Sequence, residues 1–465
     1  MLTYDLTQQP GIPLYEALYR RIRQDILTGT LPPQTRLPSK RALAEHLHLS
    51  VITVESAYRQ LEAEGYLITR PRRGFFVCPV ERIPPAAPQA APALPLPPEP
   101  VWQLDLTANR VDGSARPPAG VCARRARQVL SEGDAFFSPA PSQGLPALRQ
   151  AIAQDLRDFR GMSVSPEQIV VGAGAEYLYL LLAQLLGGSA PFAVEDPGYP
   201  KIRKVYTRCG VDCRPVPLDP QGVDPAALAA SGAGVLHLSP SHHYPTGIIT
   251  PIARRQALLR WAEDSGGIII EDDYDSEFRF TGRPLPTLQS IDHRERVIYL
   301  NTFSQTISPA LRVGFMVLPP RMLTRYRQEM DVYACTVPAL EQHVLARFLS
   351  SGAYEQHLSR MRKEYRQRRA AVLEAFRTSP FAGRITIFEQ GAGLHFLLRL
   401  DTRQSDAELD RRARAMGVKL GFLASYAAIP RPEYAHTLVI NYAGLTPQAL
   451  PEAMERLSAV FSQWL

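Results

Sequence analysis

The chain has 465 residues, 45% of them apolar and 21% charged, with a formal net charge of +7 and a pI near 9.2. That length points to two or three domains rather than one core, and the composition is that of an ordinary soluble globular protein. The basic excess permits a nucleic-acid partner without requiring one. Five cysteines (Cys78, Cys122, Cys209, Cys213 and Cys335) form no CxxC pair. This excludes a disulfide framework and suits a reducing compartment. Cys209 and Cys213 lack a second Cys/His pair at zinc spacing and read as incidental thiols. The first fifteen residues have no basic region followed by an apolar core, so no signal peptide is expected, and Tyr177 to Leu186 is too short to span a bilayer. The expectation is a cytoplasmic protein with no metal and no membrane partner.

Leu14, Leu18, Ile22 and Ile26 recur at helical spacing, with Pro13 suited to the start and Gly29 to the stop. A short helix follows, capped by Ser39 and running through Lys40 and Arg41 to Leu47. The turn His48-Leu49-Ser50 leads to a second short helix, capped by Ser50 and ended by Gly65. Two short helices joined by a tight turn make a helix-turn-helix. Tyr66–Thr69 and Gly74–Val77 read as strands, and Arg70-Pro71-Arg72-Arg73 between them is a cationic hairpin tip, a wing. A small helical domain with a solvated charged loop is the competing reading. The order of elements within one short segment favours DNA binding over it.

The run LPSKRALAEHLHLS, with the later TV and AYRQLEAEGYL, resembles the GntR-type winged helix-turn-helix. The resemblance implies double-stranded DNA as partner. The candidate DNA-facing residues are Ser39, Lys40, Arg41, Ser50, Val51 and Thr53, with the wing residues Arg70, Arg72 and Arg73. The family usually carries arginine where this chain has Val51, so an arginine–guanine contact is absent there. Val51 can still touch a thymine methyl.

Pro79 to Pro100 is dominated by Pro and Ala and can form no core, which makes it an extended spacer. A proline-rich ligand for another domain is the alternative. The expected division is a winged helix-turn-helix head (1–78, α+β), a linker (79–101) and a body (102–465). Apolar runs at 169–171, 191–194, 234–238, 267–270, 297–300 and 314–318 alternate with amphipathic segments such as 254–264. They read as buried parallel-type strands with crossover helices, an α/β fold to about residue 321. Beyond it, long basic helices and shorter strands suggest a smaller α+β lobe.

Ligands of open α/β sheets sit at the carboxyl ends of the strands. There lie Gly174 and Ala175 before a helix, Tyr199, PSHHYPTG from Pro240, EDDYDSEFR from Glu271, and Asn301 to Phe315. The last stretch offers Thr302, Ser304, Gln305 and Arg312, a hydroxyl-and-arginine cradle for an anion or, equally, a polar loop between strands. EDDYDSEFR is by itself an acidic surface turn or a hard-metal site. An aspartate at a strand end can also hold a protonated pyridinium nitrogen.

Together these segments resemble the fold-type-I pyridoxal-phosphate aminotransferases. With the head and linker, the whole chain resembles the MocR/GabR-type transcriptional regulators. The resemblance implies pyridoxal 5'-phosphate as cofactor, with Asp272 on the ring nitrogen and Tyr274 on the ring hydroxyl. Thr302, Ser304 and Arg312 would hold the phosphate, helped by the Gly174–Ala175 backbone, and Tyr199 would pack near the ring. It also implies a homodimer.

Gln305 stands where the family has its Schiff-base lysine. A carboxamide nitrogen is no nucleophile and forms no imine, and it supplies no base for transamination. The expectation is therefore a DNA-binding regulator that takes a pyridoxal-type effector (the phosphate, its amine form or an amino-acid adduct) without a covalent bond. The alternatives are an aminotransferase with an accessory head, and an altered residue at the lysine position. Lys201 and Lys204 read as surface lysines rather than substitutes. The family's carboxylate-binding arginine has no counterpart in Thr437–Gly444, leaving Arg431 or Arg399 as anchors.

Overall fold

The computed structural model of the protein describes residues 2–6, 12–81, 101–108, 117, 119–188, 190–282 and 285–461. Most of the expected Pro/Ala spacer, residues 82–100, lies outside them. The chain divides into two compact units at residues 99/100.

The first unit opens with α1 (Leu14–Thr28), closed by Gly29 at φ 82°, a left-handed conformation that glycine adopts without a Cβ penalty. Leu18, Ile22 and Ile26 are buried as expected, but Leu14 is 48% exposed. The helix's buried stretch begins only at Ala17, so its first turn overhangs the core. In α2 (Lys40–Leu47), Ser39 accepts the Ala42 N–H; in α3 (Val51–Ala63), Ser50 accepts the Thr53 N–H. Each cap satisfies a backbone donor that the helix start leaves open. Strands β1 (Leu67–Arg70) and β2 (Gly74–Val77) form an antiparallel hairpin, one residue later at its start than the apolar run suggests. Leu18, Ile22, Val54, Ala57, Tyr58, Leu61 and Val77 close its core.

The second unit starts with β3 (Leu104–Asp105), α4 (Ala119–Ser131) and α5 (Pro146–Arg160). A first run of elements follows: β4 (Ile169–Gly172), α6 (Ala175–Leu186), β5 (Phe192–Asp196), α7 (Pro200–Arg208), β6 (Cys213–Asp219) and β7 (Gly222–Val223). The sheet is completed by β8 (Val235–Leu238), β9 (Ile268–Asp272), β10 (Val297–Thr302) and β11 (Gly314–Val317). Its order is β4-β11-β10-β9-β8-β5-β6-β7. Strands β6, β5, β8, β9 and β10 are parallel neighbours. The parallel reading fails for 314–318, since β11 is antiparallel to both β10 and β4. The physical reason is the connection from β10, which carries a turn and one short 3-10 helix (Pro309–Leu311) but no crossover α-helix.

A second sheet joins β12 (Ile385–Phe388), β13 (His395–Leu400) and β15 (Thr437–Asn441), all antiparallel, while β14 (Val418–Lys419) pairs with β3. It is the small lobe, packed on helix Ala353–Arg377 through Phe376, Phe396 and Leu398. Among the described residues no helix is long and apolar enough to cross a membrane.

Candidate functional site

In the first unit, Arg41, Ser50, Val51, Arg72 and Arg73 are exposed. Ser39 and Ser50 cap their helices, which occupies one acceptor site on each hydroxyl. Lys40 pairs with Glu55 of α3 at 2.7 Å and lies over the Phe75 ring, so its charge is already partly met. Thr53 shares a 2.8 Å hydrogen bond with Ser50. Arg70 stacks on Phe76 and donates to Gln34 Oε1 at 2.6 Å, fixing the base of the wing, while Arg72 takes φ 63° at its tip. Ile52, 75% exposed beside Val51, went unnoticed in the sequence, where an apolar residue at a helix start suggests core.

In the second unit, the parallel strands β5, β8, β9 and β10 end side by side, and their last residues and following turns carry the candidate site. Alternation along β9 separates three consecutive acids. Glu271 meets Arg255 at 3.5 Å, and Asp273 meets Arg160 at 2.7 Å and the Tyr299 hydroxyl at 2.7 Å. Asp272 points the other way. Its Oδ2 accepts the Tyr179 hydroxyl at 2.5 Å and lies 3.4 Å from His237 Nε2. Its Oδ1 is buried without a hydrogen-bond partner. Burial, then the neighbouring Asp272, pushes the Tyr179 hydroxyl well above its ordinary range, so it stays a donor. Tyr206 shares a 2.8 Å hydrogen bond with His237 Nδ1 and completes the chain behind the carboxylate. The hydroxyl of Tyr274, two residues on, is also buried; it makes no hydrogen bond of good geometry, and burial, then the neighbouring Asp275 carboxylate, hold it well above its ordinary range.

Two orphaned polar atoms close to each other in sequence fit the ring of a pyridoxal group: a carboxylate oxygen for a pyridinium N–H, and a phenol for the ring oxygen. Tyr199 lies at the start of α7 with its ring 6.0 Å from Tyr244, whose hydroxyl is 3.0 Å from that of Tyr426. These tyrosines line a cleft with Asp196, His237 and Ser239.

At the other end, Gly174 precedes α6 with φ 84° and no side chain caps the helix. A Cβ on Gly174 would stand 2.9 Å from Arg312 Nη2, so glycine is what lets the guanidinium approach the turn. Arg312 donates to the Ala173 carbonyl at 3.2 Å and to Glu176 at 2.7 Å, and Lys201 meets the same carboxylate at 2.8 Å. Burial would raise the Glu176 carboxyl, but hydrogen bonds from Lys201 and Arg312 bring it down to about 2. A helix N-terminus with open N–H groups and an arginine can hold a phosphate. Here the arginine already holds a carboxylate.

Ser304 and Gln305 lie half-buried in the turn after β10. That turn is pinned at Thr306, whose carbonyl meets His357 Nε2 at 2.6 Å and whose hydroxyl accepts from Tyr354 at 3.1 Å. Thr302 is buried and lines a small cavity with Asp155, Glu277 and Tyr354 that Arg312 does not reach. Lys204 is exposed on α7. Arg399 is engaged by the Glu433 carbonyl at 2.9 Å and stacks on Phe388. Arg431 lies 3.6 Å from Glu433, with a buried Nε that has no hydrogen-bond partner.

Tyr179, His237 and Glu176 were not foreseen from the sequence. His237 carried a signal, a polar residue inside the otherwise apolar run Gly234–Leu238; Tyr179 and Glu176 looked like ordinary helix residues.

Residues 14–77 match the family model "Bacterial regulatory proteins, gntR family", and residues 102–457 match "Aminotransferase class I and II". The chain is 34% identical to the uncharacterized HTH-type transcriptional regulator YdeL of Bacillus subtilis over 99% of each chain. It is 34% identical to the HTH-type pyridoxine biosynthesis transcriptional regulator PdxR of Corynebacterium glutamicum over 86% of each. Among solved structures it resembles LysN, the alpha-aminoadipate aminotransferase of Thermus thermophilus, complexed with N-(5'-phosphopyridoxyl)-L-leucine. The identity is 26%, the TM-score 0.67, and the coverage 77% of this chain and 92% of that one.

Proposed function

The chain belongs to the MocR/GabR-type regulators, bacterial proteins that join a gntR-family head to an aminotransferase class I and II body, and on that premise we propose that its body binds a pyridoxal compound non-covalently as an effector. The chain is a DNA-binding transcriptional regulator, as its relatives are. The observation that carries the effector reading is Asp272, a buried carboxylate with one oxygen anchored by Tyr179 and the other left without a partner. Leaving such an atom unmet costs about 1–3 kcal/mol, which a ring N–H would recover. Tyr274 would meet the ring oxygen, and Tyr199 would flank the ring. Gly174, the start of α6 and Arg312 would take the phosphate once Glu176 yields the guanidinium.

Pyridoxal phosphate, when bound, supplies an electron-withdrawing ring and an aldehyde. Gln305 offers that aldehyde a carboxamide, which hydrogen-bonds and does not add. Ligand preference for one of two body conformations would then alter DNA affinity. As in other helix-turn-helix proteins, a homodimer would place two heads on spaced half-sites. The name of PdxR, which couples transcriptional regulation to pyridoxine biosynthesis, supports a pyridoxal-type effector.

The test is an absorption spectrum of protein mixed with pyridoxal phosphate and then desalted. We expect ligand that binds at equilibrium and washes away without a lasting protein-bound chromophore. A chromophore that survives desalting would overturn the non-covalent reading.

A further inference from the structure

His242, Asp275 and His395 come from three separate parts of the second unit: the turn after β8, the turn after β9 and the first residue of β13. One ligating atom from each lies within 4.8 Å of the others, and all three residues are only 3% exposed. His242 Nδ1 is 2.9 Å from Asp275 Oδ2, and the two imidazole rings stand 4.5 Å apart. We propose that these three residues form a binding site for a divalent first-row metal cation of the zinc class.

Three observations carry the proposal. First, the Asp275 carboxylate is buried, and among the described residues its ion-pair partner is His242 alone. A buried carboxylate without a cation is costly, and although Arg160, Arg255 and Arg279 line the same small cavity as Asp275, none of them is paired with it among the described residues. Second, His395 Nε2 is buried with no hydrogen-bond partner. A buried ring nitrogen with no protein partner is what a histidine offers a metal ion. Third, the chain makes room for the cluster. Gly393, at φ 69°, would put any Cβ 1.8 Å from His242 Cε1, so only glycine allows the ring to lie there.

A hydrogen-bonded His242–Asp275 pair by itself accounts for two members of the cluster and leaves His395 Nε2 unexplained. In a tetrahedral zinc site, ligand atoms lie about 3.3 Å apart, which side-chain rotation reaches from the present spacing. Two nitrogens and one oxygen suit zinc, with a water to complete the tetrahedron. Such an ion would pin the three-stranded sheet to the eight-stranded one next to Tyr244, whose ring is 4.9 Å from that of His395.

The test uses the full chain, stripped with a chelator, dialysed, and titrated with zinc chloride by calorimetry and with cobalt(II) by visible absorption. One equivalent of zinc per chain is expected. Cobalt should give the weak bands of nitrogen and oxygen ligation without a thiolate charge-transfer band. His395→Gln should weaken zinc binding at least tenfold, and the pair Cys209→Ser, Cys213→Ser should leave it unchanged. Absence of stoichiometric zinc binding, a thiolate band, or unchanged affinity in His395→Gln would overturn the proposal. The cobalt spectrum needs no variant and so decides the matter even if His395→Gln fails to fold.

Discussion

The hydroxyl of Tyr179 in α6 donates to Asp272 Oδ2 at the end of β9 at 2.5 Å, and this one bond aims the other carboxylate oxygen into unmet space. Tyr179→Phe removes the donor while keeping the ring. We expect a loss of about 1–3 kcal/mol in stability, since the buried Oδ2 is left with His237 alone. The measurement is a urea midpoint. An unchanged midpoint would mean that the bond contributes nothing.

Asp272→Asn replaces an acceptor-only group with one that cannot stabilise a pyridinium charge. Affinity for pyridoxal phosphate, followed by quenching of intrinsic fluorescence, should fall at least about tenfold, or 1.4 kcal/mol. Tyr274→Phe should cost less, about 0.5–1.5 kcal/mol, since one neutral hydrogen bond is at stake.

Gln305→Lys restores an amine on a turn already pinned by Tyr354 and His357. Borohydride treatment in the presence of pyridoxal phosphate should then fix label at position 305, seen by peptide mass mapping. The parent chain should carry none there.

Glu176 gives a pH dependence with a definite sign. Its carboxyl is held at about 2, below the ordinary glutamate value of 4.5, by Lys201 and Arg312 working against burial. A depressed carboxyl contributes stability that is present above the unfolded value and lost as pH falls toward the folded one. The difference in urea midpoint between the parent and Glu176→Gln should thus be constant above about pH 5 and shrink between about 4.5 and 2. The same variant removes a negative charge from the cradle, so phosphorylated pyridoxal should bind it more tightly than it binds the parent.

The head can be tested by salt. Arg72→Ala with Arg73→Ala should reduce the slope of log affinity against log salt by roughly one for each phosphate no longer neutralised. Ser50→Ala should destabilise the head by about 1 kcal/mol through the lost cap on Thr53.

Much of this was legible in the sequence because it is local. Caps at Ser39 and Ser50 and the apolar runs of the sheet announce themselves within a few residues. What stayed hidden depends on which strands become neighbours. Nothing in Glu271-Asp272-Asp273 says which acid is neutralised by arginine; the pleat and the positions of Arg255 and Arg160 decide it. That β11 reverses direction follows from a connection without a crossover α-helix, visible only once β10 and β11 are known to be neighbours. The resemblance placed Arg312 at the phosphate, but Glu176 as its partner arises from a tertiary contact between a turn and a helix start.

We propose that the body senses a pyridoxal compound on behalf of the head. The most direct measurement is operator affinity of the full chain, by fluorescence anisotropy on the DNA upstream of its own reading frame, with and without saturating pyridoxal 5'-phosphate. We predict an affinity shift of about fivefold or more, abolished in Asp272→Asn. Equal affinity with and without the ligand, under conditions where binding to the body is verified, would contradict it.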